Sequence, residues 1–457
     1  MSSSPNTTQA DFDYDVLAIE ALRLSPTVID QAVSLSSNIP DEERQWRTYL
    51  NGLALGGFEE WLESRATDLT LEQEHSSVLQ PAVANAIDAV CNLNVNKFKV
   101  CLIAMGSLTD EEVTLPRAVV DLPEFASHFY VLVEVQEELE IATVQGFLSY
   151  QQLLSRRARV HLNPEQDWTY QLPLSWFQGN PNQLLENLRC LEPTAIPLPA
   201  VQNNRPRQLA QMRAELEARL PELQIAERQL WQVLTWEQGA VVLTNPELLN
   251  WVYQVQQQSG QIGAITALKK HLTDTLQLLT QPALNAGRWL LGELDELAQE
   301  LSWVLLPTLA PTAAMRSPAE EFAAIVTKLR QTEKVEIPLE ARGAYRDLRL
   351  AGMPLRLYAL TWPLLSGSIP EWTLLLILGA TPGSTLPPSL QMRVSDQAGI
   401  LVERMLDAQQ RNSYFYTRVV GSWDEKFIVT VSLPSGIEQT LPPFSFNPEE
   451  QITLGGR

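Results

Sequence analysis

The chain has 457 residues, 45% of them hydrophobic, and its formal net charge is −21. This length predicts about two to four domains, and the acidity argues against nucleic acid and anionic membranes as partners, while it permits docking to a basic protein surface. Three cysteines are too few for a disulfide framework. The N-terminal segment lacks the basic and apolar regions of a signal peptide, so we expect a cytoplasmic protein.

Changes in hydrophobic periodicity divide the chain into five segments. A stretch with four prolines separates a mixed domain from a helix-rich region, and the last third has the pattern of short strands. The predicted fold class is α+β and multidomain, and it ends in an antiparallel β-sandwich-like domain. The segments are a disordered tail (1–15), a mixed α/β N-terminal domain (16–190), a proline-rich linker (191–206), a helical region (207–332) and the β-sandwich-like domain (333–457).

The N-terminal domain begins with two predicted helices. Ser25-Pro26 and Pro40-Asp41 each have the composition of a helix start, and we expect Gly56-Gly57 to bend or interrupt the second helix. Further along, alternation of apolar residues predicts a strand from Asn92 to Ala104. It also predicts a hairpin whose first strand is Phe129–Val135.

Leucines recur at intervals of four and three residues from Leu290 to Val304, a spacing that predicts one side of a single helix. Trp289 and Trp303 are two heptads apart and fall on the same side. Two interpretations stay open: a core helix covered on both sides by this chain, or a docking helix whose aromatic residues dominate binding to a partner protein. The candidate docking residues are Trp289, Leu290, Leu294, Leu297, Leu301 and Trp303.

The C-terminal domain has the clearest strand pattern. From Phe427 to Leu433 every second residue is apolar, and Pro434-Ser435-Gly436 supplies the turn that follows. Aromatic residues of this domain could fill a sandwich core or form a stacking platform for sugar rings. They are Trp362, Trp372, Tyr414, Tyr416 and Trp423.

Two groups of segments resemble one known family. The first lies between Glu112 and Phe147 and includes His128-Phe-Tyr-Val-Leu-Val-Glu; the second includes Glu371-Trp-Thr-Leu-Leu-Leu-Ile-Leu and Leu441-Pro-Pro-Phe-Ser-Phe. Their order and spacing are similar to those of the cyanobacterial domain-of-unknown-function family 1822. The resemblance implies no established activity, cofactor or catalytic residue. It does imply a gene context shared with caspase-like CHAT proteases and sigma factors, and hence a regulatory or adaptor role.

Local catalytic and cofactor motifs are missing from the sequence. The four histidines are far apart, and there is no Cys-x-x-Cys, no His-Glu-x-x-His, no phosphate-binding glycine loop and no Gly-x-Ser-x-Gly. We therefore predict no catalytic residue, no cofactor and no metal site. Cys91 and Cys101 are interpreted as small core residues rather than as a redox pair.

These observations favour a non-enzymatic cytoplasmic adaptor or regulatory protein that acts through protein–protein contacts. The family resemblance makes a CHAT-type protease or a sigma factor the expected partner. One alternative is a hydrolase with dispersed catalytic residues, which a pocket that gathers His128 or His161 with a carboxylate would favour. Another is a carbohydrate-binding β-sandwich module, which requires exposed, coplanar aromatic residues.

Overall fold

The computed structural model describes residues 21–106, 111–177, 179–201, 204–259, 262–307, 318–331, 333–364, 370–381, 384–406 and 414–448. The predicted disordered tail, 1–15, lies outside them. The fold is α+β, as predicted, and the chain forms two compact units that are each discontinuous in sequence. The first unit comprises residues 1–203 and 222–259, and the second comprises residues 204–221 and 260–457.

Helices are distributed over both units in the described part of the chain. They are α1 (Pro26–Ser36), α2 (Glu42–Arg65), α3 (Pro81–Ala84), α4 (Ala118–Asp121), α5 (Tyr150–Val160), α6 (Pro181–Cys190), α7 (Arg205–Arg219), α8 (Leu230–Val233), α9 (Trp236–Leu243), α10 (Pro246–Gln257), α11 (Ile262–Thr280), α12 (Glu296–Glu300) and α13 (Pro318–Gln331).

Strands form two larger sheets in the second unit and one in the first. They are β1 (Leu22–Arg23), β2 (Leu71–Glu72), β3 (Val90–Val95), β4 (Phe98–Met105), β5 (Glu112–Pro116), β6 (Phe129–Gln136), β7 (Ile141–Ser149), β8 (Thr169–Pro173), β9 (Leu284–Asn285), β10 (Val304–Leu305), β11 (Arg342–Leu350), β12 (Met353–Leu364), β13 (Glu371–Ala380), β14 (Gln391–Ser395), β15 (Ile400–Met405), β16 (Tyr414–Ser422), β17 (Ile428–Ser432), β18 (Glu438–Thr440) and β19 (Phe444–Ser445).

The predicted helical region, 207–332, is not a unit of its own. Helix α7 packs against α11 and belongs to the second unit, whereas α10 packs against α3 and belongs to the first. The periodicity of a helix shows which side is apolar, but not which distant segment covers that side. The two units therefore divide a stretch that looks uniform in sequence.

The first unit is built on a six-stranded sheet with the order β1-β7-β6-β4-β3-β2. The hairpin predicted at Phe129 is confirmed as β6 and β7, which pair antiparallel, while β6 and β4 pair parallel. The single strand predicted over Asn92–Ala104 is wrong, because that stretch forms two strands, β3 and β4. Asn96 adopts φ +51° in the turn between them, a conformation that asparagine tolerates better than most residues.

Helix α2 packs on β4, β6 and β7 as one uninterrupted helix of 24 residues. The two glycines therefore do not interrupt the helix, although an interruption is one of the two outcomes predicted at Gly56-Gly57. A Cβ atom on Gly56 would overlap Val28 of α1, and one on Gly57 would overlap Ala142 of β7. The two glycines thus allow α2 to lie closely between α1 and the sheet.

The second unit contains the predicted β-sandwich. One sheet has the order β10-β11-β12-β13-β16 and the other β15-β14-β17-β18. Apolar residues of both sheets meet in one core, and helix α13 covers the outer face of the five-stranded sheet in a second cluster. The strands β12 and β13 are therefore buried on both faces, which explains their nearly continuous apolar sequence.

A buried ion pair connects α11 to the outer face of the four-stranded sheet. Arg393 donates from Nε and Nη2 to the carboxylate of Asp274 at 3.2 and 3.0 Å, and Ser395 Oγ donates to the same carboxylate at 2.7 Å. The side chains of Arg393 and Asp274 are 6% and 1% exposed. Met392 and Val394 belong to the core between the sheets, so strand alternation turns Arg393 towards the helix.

Candidate functional site

The predicted docking helix is not a single helix in the structure. Residues 286–291 form a 3-10 helix that ends at Gly292, which has φ +77°, and α12 begins only at Glu296. Asp295 caps α12, because its Oδ1 accepts the Ala298 N–H at 2.8 Å. The prediction was wrong because a left-handed glycine ends one helical segment and an aspartate N-cap starts the next within the leucine pattern.

Trp289 and Trp303 nevertheless lie together. Their ring centroids are 5.7 Å apart, both rings contact Phe444 edge-on, and the residues are 0% and 3% exposed. The two tryptophans are thus part of the sandwich core, as in the core interpretation, and neither ring is accessible to a partner in this conformation. The half-buried leucines of the pattern pack against the same core: Leu290, Leu294, Leu297 and Leu301.

The C-terminal aromatic residues are divided between the two apolar cores of the second unit. Trp372 is buried between the two sheets, whereas Trp362 is 2% exposed and lies in the cluster beneath α13. The two indoles are therefore on opposite faces of one sheet. Tyr414 and Tyr416 pack against the α13 cluster, and Trp423 packs against the sandwich core. Trp362 and Trp372 thus belong to the cores, while Tyr414, Tyr416 and Trp423 are half-buried at their edges.

The histidines named for a hydrolase are not gathered with a carboxylate in the described structure. His128 Nδ1 accepts the backbone N–H of Lys99 at 2.9 Å, and its ring meets Phe98 edge-on. His161 ends α5 in a left-handed conformation. Burial lowers the pKa of His128. This histidine thus has a structural hydrogen bond and no carboxylate beside it to act as the orienting group of a catalytic pair.

Cys91 and Cys101 lie on the adjacent strands β3 and β4 and are both fully buried. Burial raises the pKa of the Cys91 thiol to about 11 and raises that of Cys101 as well. A reactive cysteine needs a lowered pKa, because the thiolate is the nucleophile. The two thiols therefore fit the interpretation as core residues.

The first unit contains a cavity of about 80 Å³ that none of the predicted sites anticipated. Its walls come from both sequence segments of the unit. The lining residues with rings or polar groups include Trp168, Trp231, Trp236, Asn85, Gln256 and Arg44.

Arg44 is a structural residue of this cavity. Its Nη1 donates to the Asn85 carbonyl at 3.1 Å and to Gln256 Oε1 at 3.4 Å, and its Nε donates to Asp41 Oδ1 at 3.3 Å. Nη2 donates to the carbonyl of Ala226. Burial lowers the pKa of Arg44. The guanidinium therefore holds two distant segments of the first unit together.

The other two arginines that line the cavity are also paired. Arg47 contacts Asp88 at 3.1 Å and Glu43 at 2.6 Å, and Arg228 contacts Glu222 at 3.4 Å. Each lining arginine thus already has a carboxylate partner within the unit. The cavity consequently offers rings and neutral polar atoms rather than uncompensated positive charge.

Three half-buried tryptophans give the cavity its shape. Trp168 meets Trp236 edge-on at 5.4 Å, and it packs so closely on Gly239 of α9 that a Cβ atom there would overlap its ring. Trp231 Nε1 donates to Gln229 Oε1 at 2.9 Å. Trp168 has φ +61°, a strained conformation for a bulky residue that costs on the order of 1–3 kcal/mol. The fold thus holds this indole at the cavity in spite of local strain.

A charged cluster fixes the position of Trp236. The guanidinium carbon of Arg117 lies 4.2 Å from the ring centroid, and Arg117 Nε donates to Asp121 Oδ2 at 2.8 Å. Asp121 also accepts from Arg157 at 2.7 Å and from the Tyr170 hydroxyl at 3.0 Å. Burial raises the pKa of Tyr170, so its hydroxyl stays protonated and donates. Such a network limits the movement of the ring that it supports.

Asn85 is a lining residue of the cavity and is held by a chain of amide hydrogen bonds. Asn85 is 4% exposed, and its Nδ2 donates to Gln256 Oε1 at 2.7 Å. Gln256 Nε2 in turn donates to the Arg228 carbonyl at 2.7 Å, which fixes the orientation of both amides. Asn85 Oδ1 has no hydrogen-bond partner among the described residues. A buried acceptor left in this way costs about 1–3 kcal/mol.

The two carboxylates that line the cavity are hydrogen-bonded within the unit, and Asp167 Oδ1 accepts from the backbone N–H and the hydroxyl of Thr169 at 3.2 and 2.6 Å. The described lining residues include neither histidine nor cysteine, and the carboxylate of Asp88 is occupied by Arg47 and Asn51. Sequence reasoning missed the site because Trp168 and Trp236 are far apart in the chain. The high tryptophan count was the signal that could have drawn attention to them.

Two kinds of feature are not found in the part of the chain that the structure describes. None of its helices is both long enough and apolar enough to cross a membrane. Nor does any group of three or more histidine, cysteine, aspartate and glutamate side chains have an arrangement that could hold a metal ion.

Comparison with known proteins identifies a family. The family model described as "Protein of unknown function (DUF1822)" matches residues 22–441. No curated protein and no solved structure matches the chain. The matched range includes most of both units and the whole tryptophan-lined cavity. The chain therefore belongs to the DUF1822 family.

Proposed function

We propose that this protein is a non-enzymatic adaptor that binds a partner protein at the tryptophan-lined cavity of its first unit. The observation that supports this most is the grouping of Trp168, Trp231 and Trp236, all half-buried, with Arg228 around one cavity. Tryptophan and arginine are the residues that most often dominate the energy of protein–protein interfaces. Half-buried rings that are already fixed in place lose little entropy when a partner covers them.

The charge of the chain indicates the character of the partner. With a formal net charge of −21, the protein attracts a basic partner over long range, and this attraction weakens as salt screens it. The family resemblance makes a CHAT-type protease and a sigma factor the first partners to test, in the cytoplasm. The hydrolase and sugar-binding alternatives are the competing proposals, and the test below separates the hydrolase from the adaptor.

The test compares two tryptophan variants of the full chain. Trp231→Ala removes a ring of the cavity, while Trp46→Ala removes a ring that is 48% exposed and lies outside it. We expect Trp231→Ala to weaken binding to a purified CHAT-type protease or sigma factor from the same organism by at least about tenfold, because truncating an interface hot spot costs about 2 kcal/mol or more. Trp46→Ala should bind like the unchanged protein.

The outcome that contradicts the proposal is equally specific. Partner binding that is unaffected by Trp231→Ala would place the interface elsewhere. Reproducible turnover in a hydrolase screen of the pure protein, together with no binding to either candidate, would replace the adaptor by an enzyme. Weaker binding at high salt than at low salt would support the basic character of the partner.

A further inference from the structure

We propose that three cations on the second unit bind an acidic, extended segment of a partner protein that has carboxylates at alternate positions. The cations are Lys328, Arg404 and Arg418, which are called the cation row below. This proposal goes beyond the proposed function, because it assigns a separate surface, on the other unit and opposite in charge to the chain as a whole.

The first two cations of the row lie against tyrosine rings. Lys328 Nζ is 5.5 Å from the ring centroid of Tyr414, and the guanidinium carbon of Arg404 is 5.6 Å from the ring centroid of Tyr416. These distances fall within the range of cation–π attraction. The charged groups therefore keep defined positions although Lys328 and Arg404 are exposed, so a ligand has less side-chain entropy to remove when it binds them.

Arg418 continues the row along the same strand. Tyr414, Tyr416 and Arg418 are alternate residues of β16 and thus share one face of the sheet. Arg418 is exposed, and its guanidinium carbon is 5.5 Å from the ring centroid of Trp362. Alternate residues of a strand are about 6.6 Å apart, and an extended peptide spaces its own side chains at the same interval. Carboxylates at every second position of a peptide therefore match the row.

The row keeps a net positive charge. In the part of the chain that the structure describes, none of its three cations forms an ion pair, whereas Arg356 and Arg393 of the same unit do. Burial raises the pKa of Tyr414 and of Tyr416, and the nearby carboxylate of Glu333 raises both further. Glu333 thus offsets part of the charge, and it shows that a carboxylate can approach this face.

The positive charge does not continue past Arg418. Arg418 lines a groove whose walls also contain Glu336, Glu340 and Arg330. Arg330 Nη2 already donates to the carbonyl of Ile337 at 2.6 Å, and the two glutamates repel a further anion. The segment should therefore carry as many carboxylates as the row has cations, rather than a longer acidic run.

Phosphate groups and nucleic acid fit this surface less well. Phosphate sites direct several donors at one group, whereas each cation of the row lies at a different ring. Stacking of bases needs accessible ring faces, but Trp362 is 2% exposed and Tyr416 is half-buried beside Arg404. The net charge of −21 also repels a polyanion over long range. A short acidic segment has few charges and meets less of this repulsion.

The experiment uses two isomeric peptides with acetylated and amidated ends, Asp-Thr-Asp-Thr-Asp and Asp-Asp-Asp-Thr-Thr. They have the same net charge and differ only in the spacing of the carboxylates. Binding of each to the full chain is measured by saturation-transfer NMR titration at low salt, where surface charges are least screened. We expect the alternating peptide to bind about twofold to fivefold more tightly, since one exposed ion pair in good geometry is worth a factor of this size.

Charge variants test which residues hold the peptide. Arg404→Gln and Arg418→Gln should each weaken binding of the alternating peptide by about twofold to fivefold. Glu333→Gln should strengthen it, because a carboxylate that competes for the row is removed. Arg349→Gln is the matched control: Arg349 is exposed on β11, outside the row, and its loss changes the net charge equally. All four residues are at the surface, so the variants should keep the melting temperature of the unchanged protein.

Equal binding of the two peptides, no binding of the alternating peptide, or equal losses in Arg404→Gln and Arg349→Gln would overturn the proposal. Displacement of the peptide by inorganic phosphate or by a thymidine oligonucleotide at lower concentration than the peptide itself would also overturn it, in favour of a phosphate ligand. None of these results touches the proposed adaptor function, since that proposal fails through the Trp231→Ala comparison with whole partner proteins.

Discussion

Removing the carboxylate of Asp274 should strongly destabilise the second unit. In Asp274→Leu, Arg393 keeps its charge at a side chain that is only 6% exposed, and it loses hydrogen bonds of 3.0 and 3.2 Å. Ser395 loses its 2.7 Å bond to the same carboxylate. Breaking a buried ion pair by removing one partner costs about 3–5 kcal/mol, a large part of the total stability of a domain.

Replacing both members of the pair should cost much less. In the double variant Asp274→Leu/Arg393→Met no charge is left without a partner, and such replacements are often near neutral. Only the Ser395 hydroxyl remains without its acceptor, at a cost of about 1–2 kcal/mol. A coupling energy of at least about 2 kcal/mol between the two substitutions is therefore expected.

Native-state hydrogen exchange read by mass spectrometry is the suitable assay, because peptides from β14 and β17 report the opening of the second unit alone. Glu293→Ala is the matched control: its ion pair with Arg288 has a glutamate side chain that is 54% exposed, and its loss should change stability by less than about 1 kcal/mol. A single Asp274 substitution no more damaging than this control, or a double variant as unstable as the sum of the singles, would refute the reasoning.

Three further predictions concern packing and pH. Gly56→Ala should lower the melting temperature of the first unit, because the added methyl group would overlap Val28 and such overpacking costs about 1–3 kcal/mol of stability. This loss is expected although alanine is the better helix former. Adding Val28→Ala should restore most of the lost stability. Burial lowers the pKa of His128 below the ordinary value of 6.5, so its stabilising contribution is complete above that pH and declines as the pH falls. When the free energy of unfolding is measured in urea, it should therefore fall less steeply towards acid pH in His128→Gln than in the unchanged protein. His75→Gln, at an exposed position, should not show this difference. Burial raises the pKa of Glu425, so the folded state loses stability as the pH rises through that value, and Glu425→Gln should be the more stable protein in urea at neutral pH.

Local patterns in the sequence predicted helices and strands well where the element buries a single apolar face. Alternation after Phe427 identified a strand that the structure places at Ile428–Ser432, and Pro26 marks the first residue of α1. The pattern at Leu290 failed because spacing alone does not reveal a change of direction. Gly292 and Asp295 are recognisable in the sequence as a helix end and a helix start, and these two signals determined the local structure in spite of the leucine spacing around them.

The candidate site depended on contacts that no local pattern contains. Asn85 and Gln256 are hydrogen-bonded although 171 positions separate them, and their amides alone suggest no chemistry. The strain at Trp168 could not be anticipated either, since its positive φ follows from packing and from the backbone bonds of its neighbours. Such a site becomes recognisable only when burial and hydrogen-bond partners are known.

The interleaving of the two units along the chain has a consequence for biosynthesis. Helix α7 leaves the ribosome before α11, its packing partner, because residues 222–259 must first complete the other unit. An amphipathic segment therefore waits through the synthesis of nearly forty residues with its apolar side uncovered, which is a state that chaperones bind. A nascent chain that stalls before residue 231, or a fragment cut after residue 203, would carry the strands of the first unit without Trp231 and Trp236. Quality-control proteases would then meet an unfinished domain, even though every strand of its sheet had already been made.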